Sequence, residues 1–205
     1  MYNKSTKLHE SASQTAGPYV HIGCTPNFAE ITGVYPADLG STMITGDAKG
    51  DRITIKGHVF DGSGTPLRDA MVEIWQADAN GLFNSPEETR GTADANFTGW
   101  GRCPTSADTG EFRFDTIKPG KVIFPDGRMQ APHVILWIVA RGINLGLQTR
   151  AYFGDEAEAN ADDPVMNRVE LMVRRETLVA KPAGNGVYDF DVHLQGPNET
   201  VFMDM

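Results

Sequence analysis

The feature that most constrains the fold is the stretch of residues 52–76, where two short alternations of apolar and polar residues flank a turn. Hydrophobic or small residues occupy every second position over 53–59, which is the period of a strand with one buried face. The same period returns over 70–76. Between the two, residues 61–66 (DGSGTP) contain the glycine and proline that tight turns favour. The stretch predicts a two-stranded hairpin, with its second strand inside a β-sandwich rather than at an edge.

Short strands separated by Gly, Pro and Asp recur downstream. The patterns predict strands at 111–117, 122–124, 133–139 and 148–153 and a C-terminal hairpin over 178–194. The run 133–139 (HVILWIV) is apolar almost throughout, which predicts a strand buried on both faces. Residues 155–161 are rich in alanine with acids at the start, as a short helix prefers, and a second helical or irregular piece is expected over 169–176. The fold class is therefore mainly β: a mixed β-sandwich with one or two short helices.

The composition limits the classes of function. A chain of 205 residues, with glycine and proline spread along it, is expected to form one domain over 1–205. A formal net charge of −9 argues against nucleic acid and anionic membranes as partners. Cys24 and Cys103 lack a CxxC pattern, which predicts two buried free thiols rather than a disulfide or a zinc site. No apolar leader and no run of transmembrane length is present, so a soluble cytoplasmic protein is expected.

Two irregular stretches predict contacts with another chain. Residues 1–16 are polar and patternless, and residues 17–23 (GPYVHIG) read as a glycine-proline turn that leads into a short alternating segment. Pro18 removes a backbone donor, which suits a sheet edge or a contact with a neighbour. Residues 24–50 are irregular throughout, and so long a loop is uncommon in a compact domain. We therefore expect an N-terminal arm, residues 1–23, to contact a partner chain, and residues 24–50 to pack against a neighbour.

Candidate metal ligands are few among the five histidines of the chain. His9 lies in the polar tail, and His58 and His193 occupy strand positions that are expected to face solvent. His133 differs, because it opens an apolar run. A lone buried histidine is nevertheless more often a hydrogen-bonded core residue than a ligand. The residues alone leave both readings of His133 open.

Four segments together resemble the intradiol ring-cleaving dioxygenases. They are residues 13–23 (SQTAGPYVHIG), 55–81 (the hairpin and its continuation to ADANG), 112–120 (FRFDTIKPG) and 131–153 (APHVILWIVARGINLGLQTRAYF). The resemblance runs from Gln14 to Phe202. The hairpin pattern alone is less specific, since prealbumin-like and adhesin sandwiches share it. The resemblance implies an oxidoreductase that uses non-haem Fe(III), a small aromatic acid and O2.

The family holds its ferric iron with two tyrosines and two histidines, since anionic phenolate oxygens suit a hard, highly charged cation. The resemblance places the matching positions of this chain at Phe83, Val122, His133 and Ile135. Only His133 is of a ligand type. The resemblance therefore implies a degenerate site with no metal and no catalytic residue in this chain. It also implies an alpha–beta hetero-oligomer in which a paralogous beta chain binds the Fe(III).

The resemblance also implies that part of this chain lines the partner's substrate pocket. The residues concerned are Thr15, Gly17, Pro18, Tyr19 and Arg141. Arg141 follows His133 by eight residues, so on an unbroken strand both side chains would point to the same side. Two plainer interpretations stay open, an ordinary edge turn at 15–19 and a solvated arginine at the end of a strand. For the whole chain, the alternative is a non-enzymatic, prealbumin-like binding or scaffold module with a decayed metal site.

Overall fold

A computed structural model describes residue 12, residues 14–144 and residues 146–204. The strands are β1 Arg52–Phe60, β2 Met71–Trp75, β3 Trp100–Pro104, β4 Glu111–Ile117, β5 Val122–Ile123, β6 Met129–Gln130, β7 His133–Val139, β8 Leu147–Phe153, β9 Val179–Gly184, β10 Val187–Asp189 and β11 Val192–His193. The helices are α1 Val20–Cys24, α2 Ala157–Asp162 and α3 Met172–Arg175, with 3-10 turns at Met166–Arg168 and Glu176–Leu178. The mainly β fold class is confirmed.

The large sheet folds back on itself to enclose one core. Its strand order is β11-β1-β10-β9-β8-β7-β2-β3, with β4 paired to β1 on the other side. Strand β9 makes the turn between the two halves, because its first residues pair with β8 and its later residues pair with β10. Alternate residues of β1 and β4 in one half, and of β2 and β7 in the other, supply the buried apolar cluster. This arrangement is a β-sandwich, as the sequence predicts.

The predicted pairing of β1 with β2 is wrong. In the described residues β1 pairs with β4, β10 and β11, whereas β2 pairs with β3 and β7. The turn itself forms, since Asp61 Oδ1 accepts hydrogen bonds from the backbone N–H groups of Ser63 and Thr65. The chain then crosses to the opposite half of the sandwich instead of returning beside β1. The internal position of β2, between β3 and β7, is as predicted.

Strand β7 has the predicted bounds, but it is not buried on both faces. The side chains of Val134, Leu136 and Ile138 lie in the central core. On the other face His133 is buried, Ile135 is half-buried and Trp137 is 40% exposed. The cover on this face comes from a second apolar cluster that includes Ala131, Tyr152, Met166 and Leu178, and it reaches only the His133 end. The outer face of β7 is therefore buried at His133, open around Trp137 and buried again at Val139, which is 2% exposed.

Three further expectations differ from the structure or are limited by it. Residues 20–24 form α1 instead of an extended alternating segment, and the backbone N–H of Thr25 closes it on His21 O at 2.8 Å. The thiols of Cys24 and Cys103 are free, but both residues are half-buried rather than buried. In the part of the chain that the structure describes, no helix is long and apolar enough to cross a bilayer. His9 and most of the predicted arm, residues 1–11 and 13, lie outside the described residues.

Candidate functional site

The family's ligand positions on β7 lie on the outer face of the β7–β8 pair. In the antiparallel register His133 lies opposite Tyr152, and Ile135 lies opposite Arg150. Residues two apart on a strand share a face, so His133 and Ile135 project to the same side. Segment 163–178 covers the His133 end of this face and makes it a buried site.

His133 is a neutral, hydrogen-bonded core residue, of which 5% is exposed. Its Nδ1 lies 2.7 Å from the carbonyl oxygen of Ala131. A carbonyl only accepts, so Nδ1 carries the proton and donates it, and the neutral ring keeps its lone pair on Nε2. Burial, followed by the positive charge of Arg150, lowers the pKa of His133 to about 4. The ring is therefore uncharged at neutral pH, and it retains one nitrogen with a lone pair.

The other three positions carry no ligand atom. Phe83 stacks on Trp75, with ring centroids 5.8 Å apart, and Trp75 lies opposite Ile135 in the sheet. Val122 is buried in β5 opposite Gln130. Over residues 14–144 and 146–204, no group of three or more His, Cys, Asp or Glu side chains could hold a metal ion. One imidazole, with Phe83, Val122 and Ile135 at the other three positions, does not fit ferric iron, which the family binds with anionic oxygens.

A buried polar network, which the sequence reading missed, occupies this face. Arg150 is 7% exposed, and its Nη1 donates to Gln130 Oε1 at 2.7 Å and lies 3.4 Å from the Tyr152 hydroxyl. That hydroxyl donates to Asp163 Oδ1 at 3.0 Å. Asp163 is fully buried and also accepts backbone N–H groups at Ala131, Val165 and Met166, at 2.7–2.8 Å. Burial raises the pKa of Tyr152, which keeps its proton for this bond.

A cavity of about 690 Å³ opens beside Arg150. Its wall includes apolar residues of the 165–171 segment and of the C-terminal residues 201–203. Arg168 also lines it and holds its guanidinium 5.1 Å from the centre of the Phe124 ring. The sequence contains Arg150 and Arg168, but only the fold places them on the wall of one cavity. The site thus combines one histidine, apolar side chains and buried guanidinium charge.

Thr15 is attached to the turn that follows β7. Its Oγ1 accepts the Gly142 N–H at 3.2 Å and lies 3.4 Å from the Ala140 carbonyl oxygen, to which it donates. A β-bridge joins Thr15 to Asn144, and Asn144 Oδ1 accepts the backbone N–H of Gln14 at 3.0 Å. These contacts bring Thr15 beside the turn that carries Arg141. Two of the residues predicted to line the pocket are therefore neighbours in the structure.

The position of Arg141 differs from the one predicted. Strand β7 ends at Val139, and the backbone N–H of Ile143 closes a turn on Ala140 O at 3.2 Å, so Arg141 lies in a turn. The argument from strand parity does not apply, because the strand ends two residues before it. The Arg141 side chain is 62% exposed, and its Nε lies 2.7 Å from Oδ2 of the largely buried Asp69. This ion pair holds the guanidinium at the surface.

The remaining predicted pocket residues lie just before α1. Gly17 adopts a φ of +74°, a conformation that glycine accepts without strain, and a Cβ there would meet nothing within 4 Å. Pro18 is exposed, and Tyr19 is 76% exposed. An exposed tyrosine after a glycine-proline turn presents a large amphipathic surface to whatever covers it.

The two groups of predicted site residues lie at opposite ends of β7. His133 begins the strand, and the turn with Arg141 and Thr15 follows its last residue, Val139. A seven-residue strand spans roughly 20 Å, at about 3.3 Å per residue. The structure brings Phe83, Val122, His133 and Ile135 towards one region, and it brings Thr15 and Arg141 together in another. Thr15 and Arg141 therefore lie at the other end of β7 from His133.

Comparisons with known proteins agree with this architecture. A family model described as "Dioxygenase" matches residues 24–196. The protocatechuate 3,4-dioxygenase alpha chain of Pseudomonas putida is 44% identical over 96% of this chain and 97% of its own length. The protocatechuate 3,4-dioxygenase beta chain of Burkholderia cepacia is 32% identical over 84% of this chain and 77% of its own. The crystal structure of 3-chlorocatechol 1,2-dioxygenase from Rhodococcus opacus shares the fold, with a TM-score of 0.58 at 21% identity over 80% of this chain and 67% of that one. The chain belongs to the intradiol dioxygenase family.

Proposed function

We propose that this chain is the alpha subunit of a protocatechuate 3,4-dioxygenase, in which a paralogous beta chain binds the Fe(III). The assembled enzyme would cleave protocatechuate with O2 to 3-carboxy-cis,cis-muconate. The high identity to a relative named as an alpha chain supports this assignment, since it extends over nearly the whole length of both proteins. The family implies iron in the complex. The ligand-poor site of this chain supports placing that iron in the partner.

The observation that carries the proposal is the separation of the two regions along β7. Thr15 and Arg141 lie together at the surface, at the opposite end of the strand from His133. Because these residues lie so far from the buried site of their own chain, their position suits a pocket on another molecule. Tyr19, 76% exposed, provides the kind of surface that a partner covers. We therefore assign residues 1–23, at the start of a single domain, as an arm that contacts the beta chain.

Within this proposal, Arg141 has the chemistry to attract the anionic substrate. Its guanidinium is exposed, and the ion pair with Asp69 is made through Nε. Arginine has five N–H donors in a planar group, and a carboxylate matches that geometry. Gly17 and Pro18 form the rigid turn next to Thr15, where the glycine accepts its positive φ without strain. The role of this chain is thus to shape the pocket and offer positive charge there, while the partner holds the metal.

The test is co-expression with a beta-type partner chain, followed by purification through a tag on this chain. We expect a partner of similar size to co-purify, and we expect iron in a fixed ratio to it, with a tyrosinate-to-iron charge-transfer colour. This chain purified alone is expected to hold no stoichiometric iron. Val122→Ala in this chain is the control, since a position without a ligand atom should leave the iron content of the complex unchanged.

Two results would contradict the proposal. One is stoichiometric ferric iron in this chain without a partner. The other is failure to form a complex with a beta-type chain, which would favour the alternative of a non-enzymatic scaffold.

Thr15→Val adds a test of the proposed pocket wall, because it removes the hydroxyl that contacts the Ala140 and Gly142 backbone. We expect it to raise KM for protocatechuate in the complex and to leave the iron content as it is.

A further inference from the structure

Three of the four ligand positions lie opposite Arg150 or opposite one of its hydrogen-bond partners. Ile135 lies directly opposite Arg150 in the β7–β8 pair. Val122 lies opposite Gln130, whose Oε1 accepts a hydrogen bond from Arg150 Nη1 at 2.7 Å. His133 lies opposite Tyr152, whose hydroxyl is 3.4 Å from the same Nη1. A guanidinium that is 7% exposed therefore occupies the face on which the family's metal ligands would converge.

We infer that Arg150 is a resident cation at the degenerate site and that its charge, in addition to the missing ligands, excludes a metal ion from this chain. The inference rests on the proposed assignment of the four ligand positions. A guanidinium carries a positive charge and offers no lone pair to a metal. Two positive charges at short range in a buried environment repel each other far more strongly than in water. The Arg150 guanidinium also donates to Gln130 Oε1 and approaches the Tyr152 hydroxyl, and these oxygens are the kind that would otherwise bind a cation.

The surviving histidine allows the charge to be tested apart from the missing ligands. The bond from His133 Nδ1 to the Ala131 carbonyl leaves Nε2 with its lone pair. This is the arrangement that orients ligating histidines in metalloproteins. A second imidazole at position 135 would lie on the same face of β7, because the two positions are two residues apart. Together with His133, Ile135→His would thus provide two nitrogen ligands for a metal ion. The Arg150 charge can then be kept in one variant and removed in another.

The experiment compares variants of the full-length chain by isothermal titration with Zn²⁺. One variant is Ile135→His alone, and the other is Ile135→His with Arg150→Gln. Glutamine removes the charge and keeps an N–H donor for Gln130 Oε1. We expect the double variant to bind Zn²⁺ at least tenfold more tightly than the single variant.

Two matched controls separate charge from shape and position. Arg150→Lys in the Ile135→His background keeps a positive charge and is expected to bind no more tightly than Ile135→His alone. Arg168→Gln removes a charge from the wall of the same cavity but not from the β7–β8 face, and it is also expected to give no gain. Circular dichroism establishes that each variant is folded. Should Arg150→Gln fail to fold, Arg150→Met provides the same comparison.

Equal Zn²⁺ affinity in the single and double variants, including no binding in either, would overturn the inference. An equal gain with Arg150→Lys or Arg168→Gln would overturn it as well, since the effect would then not depend on the charge at position 150. These measurements use neither the partner chain nor turnover. Failure of the proposed function would show instead as absence of a complex with a beta-type chain, so the two failures are distinguishable.

Discussion

The buried imidazole of His133 predicts how the stability of the folded chain depends on pH. Its pKa is lowered from 6.5 to about 4 in the folded state, first by burial and then by Arg150. When the folded pKa of a base is the lower one, the unfolded chain takes up the proton first as the pH falls. The contribution of the neutral His133 ring to the free energy of unfolding is therefore fully present above pH 6.5 and is lost as the pH falls towards 4. The whole loss is about 3 kcal/mol, because one pKa unit corresponds to about 1.4 kcal/mol.

The window between pH 7 and pH 5 isolates this effect. The linkage relation gives a loss of about 2 kcal/mol over that range for the two pKa values of His133. Acids such as Glu88, whose pKa is lowered from 4.5 to about 2, first by its hydrogen bond with Arg90, begin to lose their contribution only as the pH falls through 4.5. Urea denaturation at pH 7 and pH 5 measures the difference. His133→Gln should remove most of it, since glutamine is neutral and can donate to Ala131 O.

The control is His193→Gln, which removes a less buried histidine at the end of the sheet. Because His193 is only half-buried, this variant should change the pH dependence less than His133→Gln does. Any general effect of the −9 net charge is present in all three proteins and cancels in the comparison. If His133→Gln and the unmodified chain lose the same free energy of unfolding between pH 7 and pH 5, the reasoning is refuted.

Two further substitutions and one deletion test separate parts of the structure. Asp163→Ala should lower the free energy of unfolding by about 3–5 kcal/mol in urea denaturation, since it leaves buried N–H and O–H donors without an acceptor. The control is Asp126→Ala at an exposed ion pair, which should lower the free energy of unfolding by less than about 1 kcal/mol. Arg141→Ala in the complex should raise KM for protocatechuate about tenfold or more, with unchanged iron content, and an unchanged KM would make Arg141 a solvated arginine. Deleting residues 1–20 should impair assembly or turnover of the complex. Unchanged gel filtration and kinetics would contradict the assignment of residues 1–23 as an arm that contacts the partner.

Much of the strand content could be predicted because alternation is a local property. The bounds of β4 and β7 match the sequence patterns to the residue. The partner of each strand could not be predicted in the same way. Alternation in β1 and β2 tells which residues face the core, but both strands face the same core from opposite halves. A turn signal such as residues 61–66 fixes a local reversal, and it does not decide whether the next strand pairs with the last one.

The polar network was invisible in the sequence for a similar reason. Arg150 is one charged residue within a strand, and nothing beside it in the sequence indicates burial. Its partners Gln130 and Tyr152 and the carboxylate of Asp163 come from three separate elements. Only the β7–β8 register and the return of segment 163–178 over the sheet bring them together. Family resemblance identified the positions that lack ligands, but not the charge that lies among them.

Strand β7 shows how one element can belong to two sites with different requirements. At its beginning, His133 is held dry by Tyr152 and by the cluster around Leu178, so this end contributes stability to the fold. At its other end, the turn with Arg141 is exposed and is tied to Thr15 by hydrogen bonds. Roughly 20 Å of strand lies between them, a separation at which substitutions usually act independently. Substitutions at the buried end can therefore leave undisturbed the surface that we assign to the partner's pocket.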